Sequence, residues 1–318
     1  MTAYIVRRLL QSIVILVIVT ALVFFTMRLL PGDPLLLYIA QSDMSSMSEE
    51  QLQILRVEFG LDKPIPIQYI SWIGGLFTGD LGKSIFFGEN VTSLVAQRLP
   101  VSLYLGLISF IISGILGILA GVVSAVTRGR WIDNVVTVSA NLGITIPVFW
   151  LGILLIYFLA LKAQLLPVAG FTWPTDGLGI SIRQTIMPVI CLSLFPLASL
   201  TRQTRSSMLE IIRQDYIRTA KSKGLNERLV IFRHEVKNAL IPVVTLLGMQ
   251  LSLLVGGMVL IEQVFNIPGM GRLLVTAVFS QDYAIVQAGV LITALTVVIS
   301  NLAVDISYGW FDPRIRYT

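Results

Sequence analysis

Four features of this 318-residue chain carry residue types that could do chemistry. Cys191 is the single cysteine, so it permits neither a disulfide within the chain nor a cysteine-based metal site. His234 is the single histidine, and it stands among charged neighbours, where it reads as a solvated side chain rather than a base or metal ligand. GDLGKS (79–84) contains GKS, which invites comparison with phosphate-binding P-loops. That motif needs a glycine five residues before the glycine of GKS, and Phe77 stands there, with no strand preceding it. The fourth feature is DYIRTAKSKGLNERLVIFRHEVKNALIP (215–242), in which ten of twenty-eight side chains are Asp, Glu, Lys, Arg or His. In a chain only 13% charged, such a cluster fits a nucleic-acid surface, a lipid-headgroup surface or a handle for another protein.

The elements that must position these groups are membrane spans. The chain is 55% hydrophobic, with a mean hydropathy of +0.83. Residues 99–127, 134–161, 238–261 and 283–304 contain no Asp, Glu, Lys or Arg. At about 1.5 Å per residue, each crosses ~30 Å of hydrocarbon. Residues 9–27 and 184–201 are shorter but adequate, and Pro188 and Pro196 are expected to kink the latter. The expectation is an all-α integral membrane protein with six transmembrane helices. The first span reads as uncleaved, because RLLPGDP rather than a small-residue cleavage site follows it.

Six spans place the N-terminus, 128–133, 202–237 and the C-terminus on one side, with fifteen Lys and Arg against eight on the other. Five of those eight lie in one loop of about seventy residues, too long to count in the positive-inside rule. Both termini and the charged stretch are therefore expected to be cytoplasmic, and GDLGKS falls on the side away from ATP. Topology accounts for the net charge of +5 without nucleic acid. The acids Asp215, Glu227 and Glu235 among the bases favour a protein partner over a purely anionic surface.

The charged stretch reads as helix, break, helix. Met208, Ile211, Ile212, Tyr216, Thr219 and Ala220 recur at helical spacing, and Gly224 ends that helix. Asn226 caps the next, with Leu229, Phe232, Val236 and Leu240 along its face, and Pro242 lies in the first turns of the fifth span. Outside the membrane, Ser48 and Gln51 have capping-box spacing ahead of Leu52, Leu55 and Phe59; Tyr69, Trp72 and Phe77 suit a membrane-interface helix. This outer segment is either a small structured cap or a docking surface for an external partner. Two rows of small residues, Ser113, Gly117 and Gly121, and Gly248, Ser252 and Gly256, allow close helix approach in lipid. Each serves either packing within the chain or a subunit interface, with the second row leaning to the interface.

Gln250, Asn141, Thr145, Asn301 and Asp305 are the notable polar groups in the spans. A self-sufficient carrier would keep ionic groups near the midplane and show inverted repeats. An intramembrane enzyme would need a nucleophile–base pair, and Cys191 has no histidine near it in sequence.

The charged stretch resembles the cytoplasmic loop of the permease subunits of bacterial ABC importers. The generic loop runs Glu-Ala-Ala, three residues, Gly; here Arg218, Thr219, Ala220 and Gly224 stand at that spacing, and Pro242 lies farther past the glycine. Both departures match the branch importing peptides and nickel, where YxRTAxxKG…RHxxxNAxIP is usual. LLPGDP (29–34), FGLDKP (59–64), GDLGKS (79–84), EQVFNIPGMGRLL (262–274), QDYAIVQA (281–288) and DPRIRY (312–317) are similar to that branch's first permease subunit.

The resemblance implies a type I ABC importer permease fold in the bacterial plasma membrane, surrounded by lipid. Residues 1–97 would hold the first span and external segment, 98–305 the permease core with coupling loop 202–238, and 306–318 a cytoplasmic tail. It implies a second permease subunit, two ATPase subunits or domains carrying ATP and Mg, and an external substrate-binding protein, with no cofactor in this chain. Tyr216, Arg218, Thr219, Ala220, Lys223 and Gly224 would form the ATPase-coupling helix. The branch imports dipeptides, longer peptides, glutathione, nickel chelates and some sugars. On this reading the purified chain hydrolyses no ATP; specific hydrolysis by a preparation free of partner subunits would count decisively against it.

Overall fold

The computed structural model describes residues 2–29, 33, 35–36, 39 and 49–311, with side chains undescribed at 2–5, 251–257 and 303–311. The described elements are helical. They run α1 Thr2–Leu29, α2 Glu49–Glu58, α3 Ile65–Thr78, α4 Val91–Val126, α5 Trp131–Thr145 and α6 Val148–Leu155, which continues as π-helix Ile156–Lys162. Then follow α7 Leu178–Ile211, α8 Asp215–Ser222, α9 Glu227–Leu229 with π-helix Val230–Val236, α10 Lys237–Val264, α11 Met270–Phe279 and α12 Tyr283–Phe311.

Among the described residues, α1 from Val6, α4, α7 and α12 to Leu302 are long and apolar enough to cross a membrane; α5 with α6 makes a fifth if that bent pair is one span. α10 has 28 residues and encloses the charge-free run 238–261. The third run is not the straight span its composition suggested. α5 and α6 meet at 103°, because Pro147 lacks an N–H and Ile146 before it is pushed to extended backbone (φ −72°, ψ 123°). Conversely, Pro188 and Pro196 lie inside one continuous α7 of 34 residues.

The chain forms two compact units. The first comprises Leu103–Ile267 with the stretch from Ile299, the second Thr2–Ser102 with Pro268–Val298, so that 268–298 groups with the N-terminal segment. In the first unit, α7 is the hub against which α5, α6 and α10 pack. Small residues bring α4 onto α7 as well. A Cβ at Gly117 would stand 2.8 Å from Leu200 Cβ, and one at Gly121 2.5 Å from Thr204 Cβ and 2.7 Å from the Thr201 carbonyl oxygen. Such backbone approach is how helices associate where lipid removes the hydrophobic driving force. The Ser113–Gly117–Gly121 row is therefore packing within the chain. Gln250, buried on α10, donates to the Pro196 carbonyl of α7 at 3.4 Å.

In the second unit, α3 docks on α1. Phe24 is fully buried, with Tyr69 and Trp72 rings at 5.1 and 6.0 Å, and Phe77 stays 88% exposed. Leu52 and Leu55 on α2 and Phe59 just beyond its end are half-buried; α2 begins at Glu49, and its expected cap Ser48 lies outside the described residues. GDLGKS is a braced turn. Gly79 caps α3 in left-handed backbone (φ 78°), and Asp80 accepts from the Gly82 N–H at 2.9 Å. Buried Asp282 accepts from the Ser84 hydroxyl at 2.5 Å and the Phe86 N–H at 3.1 Å.

Replacing Gly121 by valine should part α4 from α7 and cost about 1–3 kcal/mol of overpacking. Gly179→Ala, whose added methyl meets nothing within 4 Å, serves as the control. Thermal unfolding in detergent, followed by circular dichroism, should separate the two; equal melting temperatures would contradict the close contact.

Candidate functional site

The charged stretch forms a bracket between α7 and α10. α7 does not continue into the charged stretch as one helix, contrary to the expected 208–220 run. It ends at Ile211, a turn follows, and Gln214 in extended backbone (φ −71°, ψ 147°) starts α8 afresh. Gly224 then reverses the chain at φ 72°, a left-handed conformation costing glycine no Cβ clash. The Asn226 side chain accepts from the Arg228 N–H at 3.0 Å, the expected cap.

The face of the second helix differs from the expected one. Leu229 and Phe232 are exposed, whereas Val230, Glu235, Ala239 and Val243 are buried. The π-helix Val230–Val236 explains the change: its wider turn places the next inward residue five positions on, from 230 to 235, before the four-residue rhythm resumes. No 3.6-residue template finds that step.

α8 is anchored by Ile217, fully buried, and by Ala220, both against Val230, with Ile211 alongside. Burying Ile217 and Val230 contributes about 1.5–3 kcal/mol each. Ala220 thus faces the bracket's own core, while Tyr216, Arg218, Thr219, Lys223 and Gly224 face outward. Two polar ties fix the arrangement. Asn238 donates to the Tyr216 hydroxyl at 3.3 Å and to the His234 carbonyl at 2.7 Å; Lys221 Nζ lies 3.5 Å from the buried Glu235 carboxylate. Arg218 and Asp215, 3.6 Å apart and largely exposed, form a pair worth little.

A second knot holds the bracket's root. Asp133, 3% exposed, accepts both Arg205 Nε–H at 2.7 Å and Nη2–H at 2.9 Å, the Ser124 hydroxyl at 2.5 Å and the Gly129 N–H at 2.9 Å. One carboxylate thereby joins the end of α4, the Gly129 turn, the start of α5 and the lower part of α7. Bidentate guanidinium geometry makes this a directional clamp. Sequence reasoning counted Arg205 only as loop charge and passed over Asp133, although it is the one acid in 128–133. Ile217 and the π-helix had no signal in the pattern, and Glu235, expected as one of the acids of a partner-binding surface, is buried.

Of the row proposed as a subunit interface, Gly248 is half-buried, and the Ser252 and Gly256 side chains lie outside the described residues. So do DPRIRY (312–317), the tail beyond Phe311 and most of LLPGDP. Cys191 is buried in α7.

Residues 117–317 match the family described as binding-protein-dependent transport system inner membrane component; residues 1–106 match the N-terminal family of such membrane components. A putative peptide transport system permease protein of Brucella abortus (strain 2308) is 43% identical over 317 residues, covering 100% of both chains. The oligopeptide transport system permease protein AppB of Bacillus subtilis (strain 168) is 40% identical over 324 residues, again covering 100% of each. Among solved structures, an inward-facing conformation of the MetNI methionine ABC transporter aligns with a TM-score of 0.56 at 18% identity, over 69% of this chain and 96% of that chain. The likeness to that structure is one of fold.

Asp133→Asn should loosen the clamp, leaving Arg205 with a neutral partner at a cost of about 2 kcal/mol or more. Arg205→Lys, which keeps the charge but loses the fork, should fall between it and the parent protein. Proteolysis of the 212–237 bracket is the readout; cleavage no faster than in the parent would show that the clamp does not hold the bracket.

Proposed function

This chain belongs to the binding-protein-dependent transport system inner membrane component family, and from that premise we propose that it is the permease subunit of an ATP-driven peptide importer. It is a transport component rather than an enzyme, as its relatives' designation as permeases indicates. On this reading it crosses the bacterial inner membrane six times with both termini cytoplasmic. It pairs with a second permease subunit and receives solute from an external binding protein. Two ATPase subunits, which carry the ATP and Mg, bind below it. The peptide class rests on the names of its relatives, and the orientation rests on the distribution of Lys and Arg.

The observation that carries the coupling role is the construction of α8. Tyr216, Arg218 and Thr219 on a short helix, with Lys223 and Gly224 in the turn that ends it, form an outward surface, and the helix's opposite side is fastened by Ile217 and Ala220 to Val230. A surface mounted in this way can transmit a push. Motion imposed on α8 by a closing ATPase pair reaches α7 through Ile211 and α10 through the π-helix, rather than being absorbed in a floppy loop. The spans then alternate access by rigid-body movement. The exposed face carries cations and hydroxyls, which suits a groove with acidic and carbonyl acceptors.

Gly224 offers the sharpest test, because no atom stands within 4 Å of an added Cβ while the backbone stays left-handed. Gly224→Trp adds bulk to the mating face; Gly224→Asn adopts left-handed backbone readily and adds little. In membranes containing the complete importer, the tryptophan variant should reduce ATP-driven uptake about tenfold or more with ATPase subunits still assembled, and the asparagine variant should stay near the parent rate. Normal uptake coupled to normal hydrolysis in the tryptophan variant would remove α8 as the coupling element.

A further inference from the structure

α3 carries an apolar stripe that the rest of the described chain leaves uncovered. Ile67, Ile70, Gly74 and Phe77 follow one another at helical spacing, and the three side chains are 51%, 69% and 88% exposed. Residues 64–79 contain no Asp, Glu, Lys or Arg, although Lys63 and Asp80 stand at either end. A helix of a water-exposed cap would keep charge on its solvent side. α3 has 14 residues and is about 21 Å long, too short to cross ~30 Å of hydrocarbon. Such a helix fits along a membrane surface rather than through it.

Tyr69 and Trp72, which the sequence suggested for the membrane interface, turn onto α1 instead, and their contacts set the depth of α3. The charge-free run of α1 ends at Arg28, a residue suited to the headgroup level of that leaflet. Arg28 donates through Nε to Gln68 at 2.9 Å, which brings the first turn of α3 to this level. From there the docked face reaches deeper. The Tyr69 and Trp72 rings stand 5.1 and 6.0 Å from Phe24, and the Tyr69 hydroxyl lies 3.2 Å from that of Thr20. Thr20 is about 12 Å along the helix axis from Arg28, at ~1.5 Å per residue. These contacts set α3 at the hydrocarbon boundary rather than in the water above it. The free stripe also continues the lipid-facing side of α1. Leu22 and Leu29 are exposed there, and Phe25, exposed as well, packs on Tyr69 at 5.8 Å.

We propose that α3 lies in the leaflet at the Arg28 end of α1, with Ile67, Ile70 and Phe77 seated among lipid acyl chains. In the orientation proposed above this is the outer leaflet. The GDLGKS turn begins at Gly79, the residue that caps α3, so the anchor holds that turn at the membrane surface. The inference rests on α1 crossing the membrane and is independent of the coupling role of α8. Spin labelling of the full chain in lipid nanodiscs tests it, both alone and in the assembled importer with cysteine-free partner subunits. In a Cys191→Ala background, labels at Ile70→Cys and Phe77→Cys are compared with two references. Val14→Cys is exposed on the span, and Lys63→Cys is exposed just before α3. Oxygen, which concentrates in lipid, and a water-soluble nickel chelate are the collision probes. Both α3 labels should collide with oxygen as the Val14 label does and lose most of the chelate collisions seen at Lys63, reporting a depth of about 5–10 Å. Melting temperatures matching the parent show that the variants fold, and Ile67→Cys replaces either one that does not. Chelate access equal to that at Lys63 would place the stripe in water and overturn the proposal. Exclusion of both probes, in the chain alone or in the importer, would put protein rather than lipid on the stripe and overturn it equally.

Discussion

Close backbone packing on α7 is the constraint from which the first unit is built. In hydrocarbon, apolar side chains gain nothing by leaving lipid, so helices associate only where their surfaces interlock. Gly117 and Gly121 let α4 reach α7 at distances no Cβ could share, and a Cβ at Gly143 of α5 would stand a tight 3.0 Å from Ala198 Cβ. With α4 and α5 both on α7, the Asp133 carboxylate can collect Ser124, Gly129 and Arg205 at once. The clamp therefore depends on the glycines. A buried carboxylate is tolerable here because a bidentate cation and two further donors satisfy it.

The bracket inherits that rigidity. It leaves α7 just beyond Arg205 and returns into α10, so both of its ends are roots in packed helices. Between them, α8 is too short to be stable alone, and its burial of Ile217 and Ala220 against the π-helix supplies the stability. The wide turn of that π-helix turns Val230 and Glu235 inward, and Lys221 comes within 3.5 Å of the latter. A regular α-helix with the same sequence would offer α8 a different face. The polar tie between Asn238 and Tyr216 adds a second link between α8 and the root of α10. The coupling role proposed for α8 needs this combination of an exposed surface and a stiff mounting.

In the second unit, two motifs far apart in sequence become one structure. GDLGKS turns through Gly79 and Gly82 and is pinned by Asp282 of QDYAIVQA, which receives both Ser84 and Phe86. The lysine and serine that suggested phosphate binding serve this turn instead: Lys83 pairs with Glu58, and Ser84 is buried on a carboxylate.

Composition and periodicity alone determined that this chain is helical and membrane-embedded, where its long apolar runs lie, and that Gly224 and Asn226 break and restart the charged loop. Those features are local: charge-free length, left-handed turns and caps need no distant partner. The motifs together also pointed to the family, because each is read residue by residue. The break at Pro147 has a local cause, but only tertiary structure decided that Pro188 and Pro196 leave α7 continuous, since packing against neighbouring helices can hold a proline-bearing helix together. It likewise decided that the Gly117–Gly121 row serves packing within the chain, that Ala220 faces inward beside Ile217, and that a π-turn resets the following face. Asp133 and Arg205 are 72 residues apart. Nothing in either segment announces the other, and the ion pair forms where α5 packs against α7.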